Sequence, residues 1–128
     1  MQTRVWEGTS VHAPGDEHQI DFDALRDQVA DDNFALRPHA MQHAVKEGFT
    51  RDHVTHVVLT GMVVESYPER KRCLFYADVV VEGITMPVHV ICEHHEPQEP
   101  VDVVTAYVPS EEEWETPTRR RPKRKGRR

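Results

Sequence analysis

The run from Cys73 to Glu93 constrains this chain most, because two apolar-rich stretches flank a Glu82-Gly83 step that suits a two-residue hairpin turn. Asn-Gly or Asp-Gly would signal it more strongly. With that turn, Cys73 faces Cys92, Phe75 faces Val90, Ala77 faces Val88, Val79 faces Met86 and Val81 faces Ile84. Every member of this set is apolar, and a one-residue slip would turn all of them to the other side, so this face must pack on a core. The reverse face sets Arg72 against Glu93, Leu74 against Ile91, Tyr76 against His89 and Asp78 against Pro87.

The remaining elements follow from period and punctuation. Residues 1–19 show no sustained period and read as a flexible leader. Asp21 caps a short helix in which Phe22, Leu25 and Val29 recur at helical spacing, and Asp31-Asp32-Asn33 stops it. Pro38 suits the first turn of a second helix over 38–47 and Gly48 its C-terminal stop. On that helix His39, Gln42, His43 and Lys46 form one polar stripe, with Ala40, Ala44 and Val45 towards other faces. Thr50 caps a third helix carrying Val54, Val57 and Val58, which Gly61 ends. Val63 to Tyr67 is a strand closed by Pro68 and the turn Glu69-Arg70-Lys71, and Val101 to Val108 is another, ended by Pro109 and an acidic run. The expectation is an α+β domain over 20–115, with N-terminal helices packed on one face of a four-stranded antiparallel sheet.

Charge divides the chain. Eight of its 16 Lys and Arg residues fall in the last ten positions, and all 22 acidic residues precede them, which leaves residues 1–118 at −14 and the end at +8. A disordered basic tail over 116–128 is expected, with Arg119, Arg120, Arg121, Lys123, Arg124, Lys125, Arg127 and Arg128 binding nucleic acid by releasing counterions from phosphates. The plainer reading of such a tail is a solvated segment that aids solubility. Two cysteines are too few for a disulfide scaffold, and no apolar run serves as a signal peptide or a membrane span. A reduced, cytoplasmic protein without membrane partners is expected, with Cys73 and Cys92 as small core residues.

Nine histidines bring metal binding into question. The densest group is His89, Cys92, His94 and His95, but strand alternation turns Cys92 inward and His89 outward, and neither CxxC nor HExxH is present. No phosphate-cradling glycine loop or GxSxG occurs either. Neither a metal nor another cofactor is expected. What remains is a loose set of His39, His43, Arg70, Lys71, Arg72, His89 and Tyr107. Imidazoles move protons near neutral pH and arginine steadies a phosphate that gains charge, which is what metal-free RNA cleavage needs. Taken singly, each has an ordinary explanation: surface histidines are usually solvated, and turn cations often only blunt a sheet edge.

Several short patterns add a resemblance. They are His39-Ala40, Gly48-Phe49-Thr50, Gly61 through Glu65 to Tyr67-Pro68, Pro87-Val88-His89-Val90-Ile91, Thr105-Ala106-Tyr107-Val108-Pro109 and Trp114. In these the segment resembles a small bacterial and archaeal family of unknown function that is itself similar to the RelE, BrnT and MqsR group of toxin ribonucleases. The resemblance implies a RelE-like fold, a metal-independent endoribonuclease of the mRNA interferase kind, RNA as substrate and an antitoxin protein as partner. It makes His39, His89 and Tyr107 functional candidates, and His43, Arg70 and Arg72 from the loose set above join them as catalytic candidates. The arginine that usually follows the first helix motif is replaced here by the stretch holding His43, Lys46 and Glu47. A second function, from another class, is a non-enzymatic adaptor with an acidic body for a protein partner and a basic tail for nucleic acid.

Overall fold

The computed structural model describes residues 19–122. Helix α1 (Phe22–Ala30) starts where the Asp21 side chain accepts the Ala24 amide. Helix α2 (Pro38–Glu47) has proline at its first position and ends on Gly48, whose φ of 83° lies in the left-handed region that favours glycine. In α3 (Arg51–Thr60) the Thr50 hydroxyl accepts the His53 amide while His53 accepts the Thr50 amide, a reciprocal cap. Gly61 ends α3 for a different reason. Its φ of −83° suits any residue, but a Cβ there would collide with the carbonyl oxygens of Val57 and Tyr76.

The strands are β1 (Phe34–Leu36), β2 (Met62–Tyr67), β3 (Arg72–Val81), β4 (Ile84–Glu93) and β5 (Val101–Tyr107), with a short 3-10 turn at Pro68–Arg70. The β3–β4 hairpin has the expected register throughout, from Arg72 opposite Glu93 to Val81 opposite Ile84. Its turn holds Glu82 at φ 51° and Gly83 at φ 82°, the doubly left-handed pair that a tight hairpin demands. Sheet order is β1-β5-β4-β3-β2. The sheet is therefore five-stranded and mixed, not four-stranded and antiparallel, because Phe34–Leu36 pairs in parallel with Val101–Val103 at the β5 edge. Three residues after a helix stop carry no readable period, and parallel pairing depends on a partner far along the chain.

All three helices pack on the face that carries Cys73, Phe75, Val88, Val90 and Cys92, together with Leu25, Val29, Val57 and Val58. Both cysteines are free and fully buried on this face, and burial pushes the Cys73 thiol up to about 12. The fold is thus α+β, three helices against a five-stranded mixed sheet. None of the described helices is long and apolar enough to cross a membrane.

The opposite face is not bare. Strands β6 (Trp114–Thr116) and β7 (Arg119–Arg120) form a small ribbon that lies across it. This corrects the expected tail boundary, since residues 116–122 belong to the folded body, while 1–18 and 123–128 lie outside the described residues. A ribbon of this size has no stability of its own. Trp114 anchors it, 3% exposed, with its ring 4.5 Å from that of His89. Arg120 then stacks over Trp114 and donates to Glu65 on β2 at 2.6 Å and 3.2 Å. Burying such an indole outweighs a partly exposed ion pair, about 3–5 kcal/mol against about 1.

Candidate functional site on the outer sheet face

His89 sits on β4 out of phase with Val88 and Val90 and so points away from the helices, opposite Tyr107 of β5 and Tyr76 of β3. His89 and Tyr107 thus share the outer face. Their surroundings differ from an open cleft, because His89 is 0% exposed beneath the Trp114 ribbon. Its Nε2 lies 2.6 Å from the Pro117 carbonyl, which can only accept, so Nε2 carries the proton. Nδ1 is left to accept the Tyr107 hydroxyl at 3.3 Å. Burial lowers the His89 pKa despite the opposing Pro117 bond, and burial raises the Tyr107 hydroxyl to about 12. His89 is thus a neutral ring with both nitrogens engaged, the arrangement of a structural histidine.

The open part of the face lies further along β3 and β4. A pocket of about 650 Å³ is lined by Tyr67, Glu69, Arg70, Arg72 and Ile91. Arg70 and Arg72, both catalytic candidates from the sequence, meet at this pocket. At its edge Glu93 gathers three donors: Arg72 through Nε at 2.7 Å and a second nitrogen on one oxygen, and Arg37 at 3.0 Å with His95 at 3.2 Å on the other. Burial alone would raise the Glu93 carboxyl, but the bonds from Arg72 and His95 outweigh it and hold it below the ordinary range. Arg37 also reaches Asp102 at 3.2 Å, and that bond foremost holds it above its ordinary value. On the β2 side Tyr67 donates to Glu65, whose carboxyl is lowered chiefly by Arg120.

The helix histidines are elsewhere. The rings of His39 and His43 lie 4.5 Å apart, tilted by 59°, on α2, whose Ala40 and Ala44 are buried against the inner face. The sheet therefore separates them from His89, and one cleft joining all the candidates does not form. Parity along β4 gives the outward turn of His89 and the expected helix layer lies on the other face, so the separation of His39 and His43 from His89 follows from the expected architecture. Of the expected tail cations, Arg119 pairs with Glu115 at 3.3 Å, Arg120 with Glu65, and Arg121 donates to the Glu111 carbonyl at 2.6 Å. Of these three only Arg120 is tied to the sheet, since the partners of Arg119 and Arg121 lie in the ribbon and the segment leading into it. Lys123, Arg124, Lys125, Arg127 and Arg128 lie outside the described residues.

Sequence reasoning overlooks Arg37, Glu93 and His95. A signal exists, since the hairpin register places Glu93 across from Arg72 on the outer face. His95 enters from the sequence only as part of a metal cluster, yet among the described residues no group of three or more His, Cys, Asp or Glu is placed to hold a metal ion.

An α+β fold with a covered inner face and a partly open, arginine-lined outer face defines the class of this protein. Residues 36–108 match the model of the family described as Domain of unknown function (DUF4258), more than half of the 128 residues, and the chain belongs to that family. The matched segment holds α2 through β5 and every residue around the pocket, whereas the ribbon lies beyond it. No curated protein and no solved structure matches the chain.

Proposed function

We propose that this protein is a RelE-like, metal-independent endoribonuclease that binds RNA on the outer face of its sheet. The observation that carries this reading is the pocket where Arg70 and Arg72 meet Tyr67 and Ile91. Two guanidiniums suit a phosphate that gains charge, and an aromatic ring beside an apolar floor suits an unstacked base. Its role as the toxin of a toxin–antitoxin pair rests on the resemblance to the RelE, BrnT and MqsR group alone.

The purified full chain should cleave single-stranded RNA in EDTA and leave 2′,3′-cyclic phosphate ends. Arg70→Ala, a change at an exposed turn, should slow cleavage by roughly a hundredfold, the usual loss when a donor to developing charge is removed. Intact RNA after prolonged incubation would reject the nuclease. The sealed state of His89, whose nitrogens bond Pro117 and Tyr107, favours one rival, the adaptor that binds RNA without cutting it. Saturable RNA binding with no cleavage would establish that rival.

A further inference from the structure

Two histidines lie on the outer face, and their hydrogen bonds assign them opposite capacities. His89 spends Nε2 on the Pro117 carbonyl and Nδ1 on the Tyr107 hydroxyl and meets no solvent. His95 is different. Its side chain is 55% exposed, and its Nε2 faces a Glu93 oxygen that also receives Arg37. A carboxylate held by two arginines is ionised and only accepts, so the proton of a neutral His95 ring resides on Nε2. Nδ1 then carries the lone pair, and no described residue donates to it. A carboxylate that fixes the tautomer of an imidazole whose other nitrogen is open is the arrangement of an oriented general base.

The same carboxylate places the phosphate-binding cation. Arg72 holds the other oxygen of Glu93, so His95 and Arg72 flank one acidic group, and Arg72 lines the pocket with Arg70. A ribose 2′-hydroxyl next to a phosphate at Arg72 would lie beside the His95 ring.

We propose that His95, not His89, is the general base of the reaction, with Glu93 as its positioning residue and Arg72 as the phosphate partner. The inference rests on the nuclease reading above. In the step, His95 Nδ1 takes the proton of the 2′-hydroxyl while its oxygen forms a bond to phosphorus. The bond from phosphorus to the 5′-oxygen breaks, and that oxygen takes a proton from water. The hydroxide so formed receives the proton from imidazolium, which restores neutral His95. The products are a 2′,3′-cyclic phosphate and a 5′-hydroxyl, with no oxidant, metal or other co-reactant.

The test is single-turnover cleavage of RNA by the full chain in EDTA, for the unsubstituted protein and for His95→Ala, with and without imidazole. Because His95 is exposed, its removal should leave folding intact, which the melting temperature checks. The expected result is a fall in the saturating single-turnover rate constant of about 10²- to 10⁴-fold at nearly constant half-saturating concentration, with added imidazole recovering a good part of the rate. Glu93→Gln should also lower that rate constant, and imidazole should not restore it. Cleavage by His95→Ala within about twofold of the parent, or a loss that imidazole leaves untouched, would overturn the assignment while the nuclease reading stands. If the unsubstituted protein leaves RNA intact, both fall together.

Discussion

His89 carries its weight through what it fills. The ring bonds a carbonyl of the ribbon and a hydroxyl of β5, and its edge supports Trp114. His89→Ala leaves both polar groups without a partner above a cavity, so it should cost about 2–4 kcal/mol. Thermal or urea unfolding measures this, and an unchanged midpoint would mean the ribbon is held without it. Its lowered pKa also fixes a pH dependence. The unfolded chain takes up a proton below about 6.5 where the folded protein resists it, so stability is complete above that value and declines as pH falls through it. Glu65 and Glu93, whose carboxyl pKa values are also lowered, keep their contribution above the ordinary carboxylate range and lose it only as pH drops through their folded values. Melting temperature should therefore fall in two acid steps, and His89→Gln should shrink the first, leaving the part that His94 contributes, whose pKa burial also lowers. A single step near pH 4 in the parent would contradict this. The position of His89 is legible from strand parity, but its covering is not, because the acidic run before Trp114 reads as the end of a domain.

The hairpin of β3 and β4 is the element most fully written in the chain, since alternation over both strands leaves one register that buries Phe75 and Val90 together. Strand β1 is the least legible. Its Phe34-Ala35-Leu36 is too short for a period, and it is a strand only because β5 lies alongside. The α3–β2 junction is intermediate, for glycine is expected there as a helix stop and is needed for room. Gly61→Ala would press a methyl group into two backbone carbonyls, one of them on β3. Backbone cannot give way as a side chain can, so a loss at or above about 1–3 kcal/mol is expected. Near-parental stability in a denaturation series would show that the two elements separate more easily than their packing indicates.

Charge acts on the molecule as a whole, with a body of −14 joined to basic residues that are themselves divided. Arg120 ties the ribbon to β2, and Arg119 and Arg121 pair within the ribbon and the segment before it, whereas residues 123–128 add five cations. Two truncations should therefore differ. Removing 123–128 should leave the melting temperature alone and flatten the salt dependence of RNA binding, by up to about 0.7 in log–log slope for each phosphate that is no longer neutralised. Removing 119–128 should also lower the melting temperature, because Trp114 loses Arg120 and Glu65 loses its partner. Equal melting temperatures for the two would detach the ribbon from the fold. The central claim, that the outer sheet face and not the helix layer receives RNA, is tested most directly by amide chemical shifts during titration with a 2′-O-methyl RNA that cannot be cut. The largest changes should fall on Tyr67, Arg70, Arg72, Ile91 and His95, with α2 and α3 silent; changes centred on His39 and His43, or none within 36–108, would contradict the account.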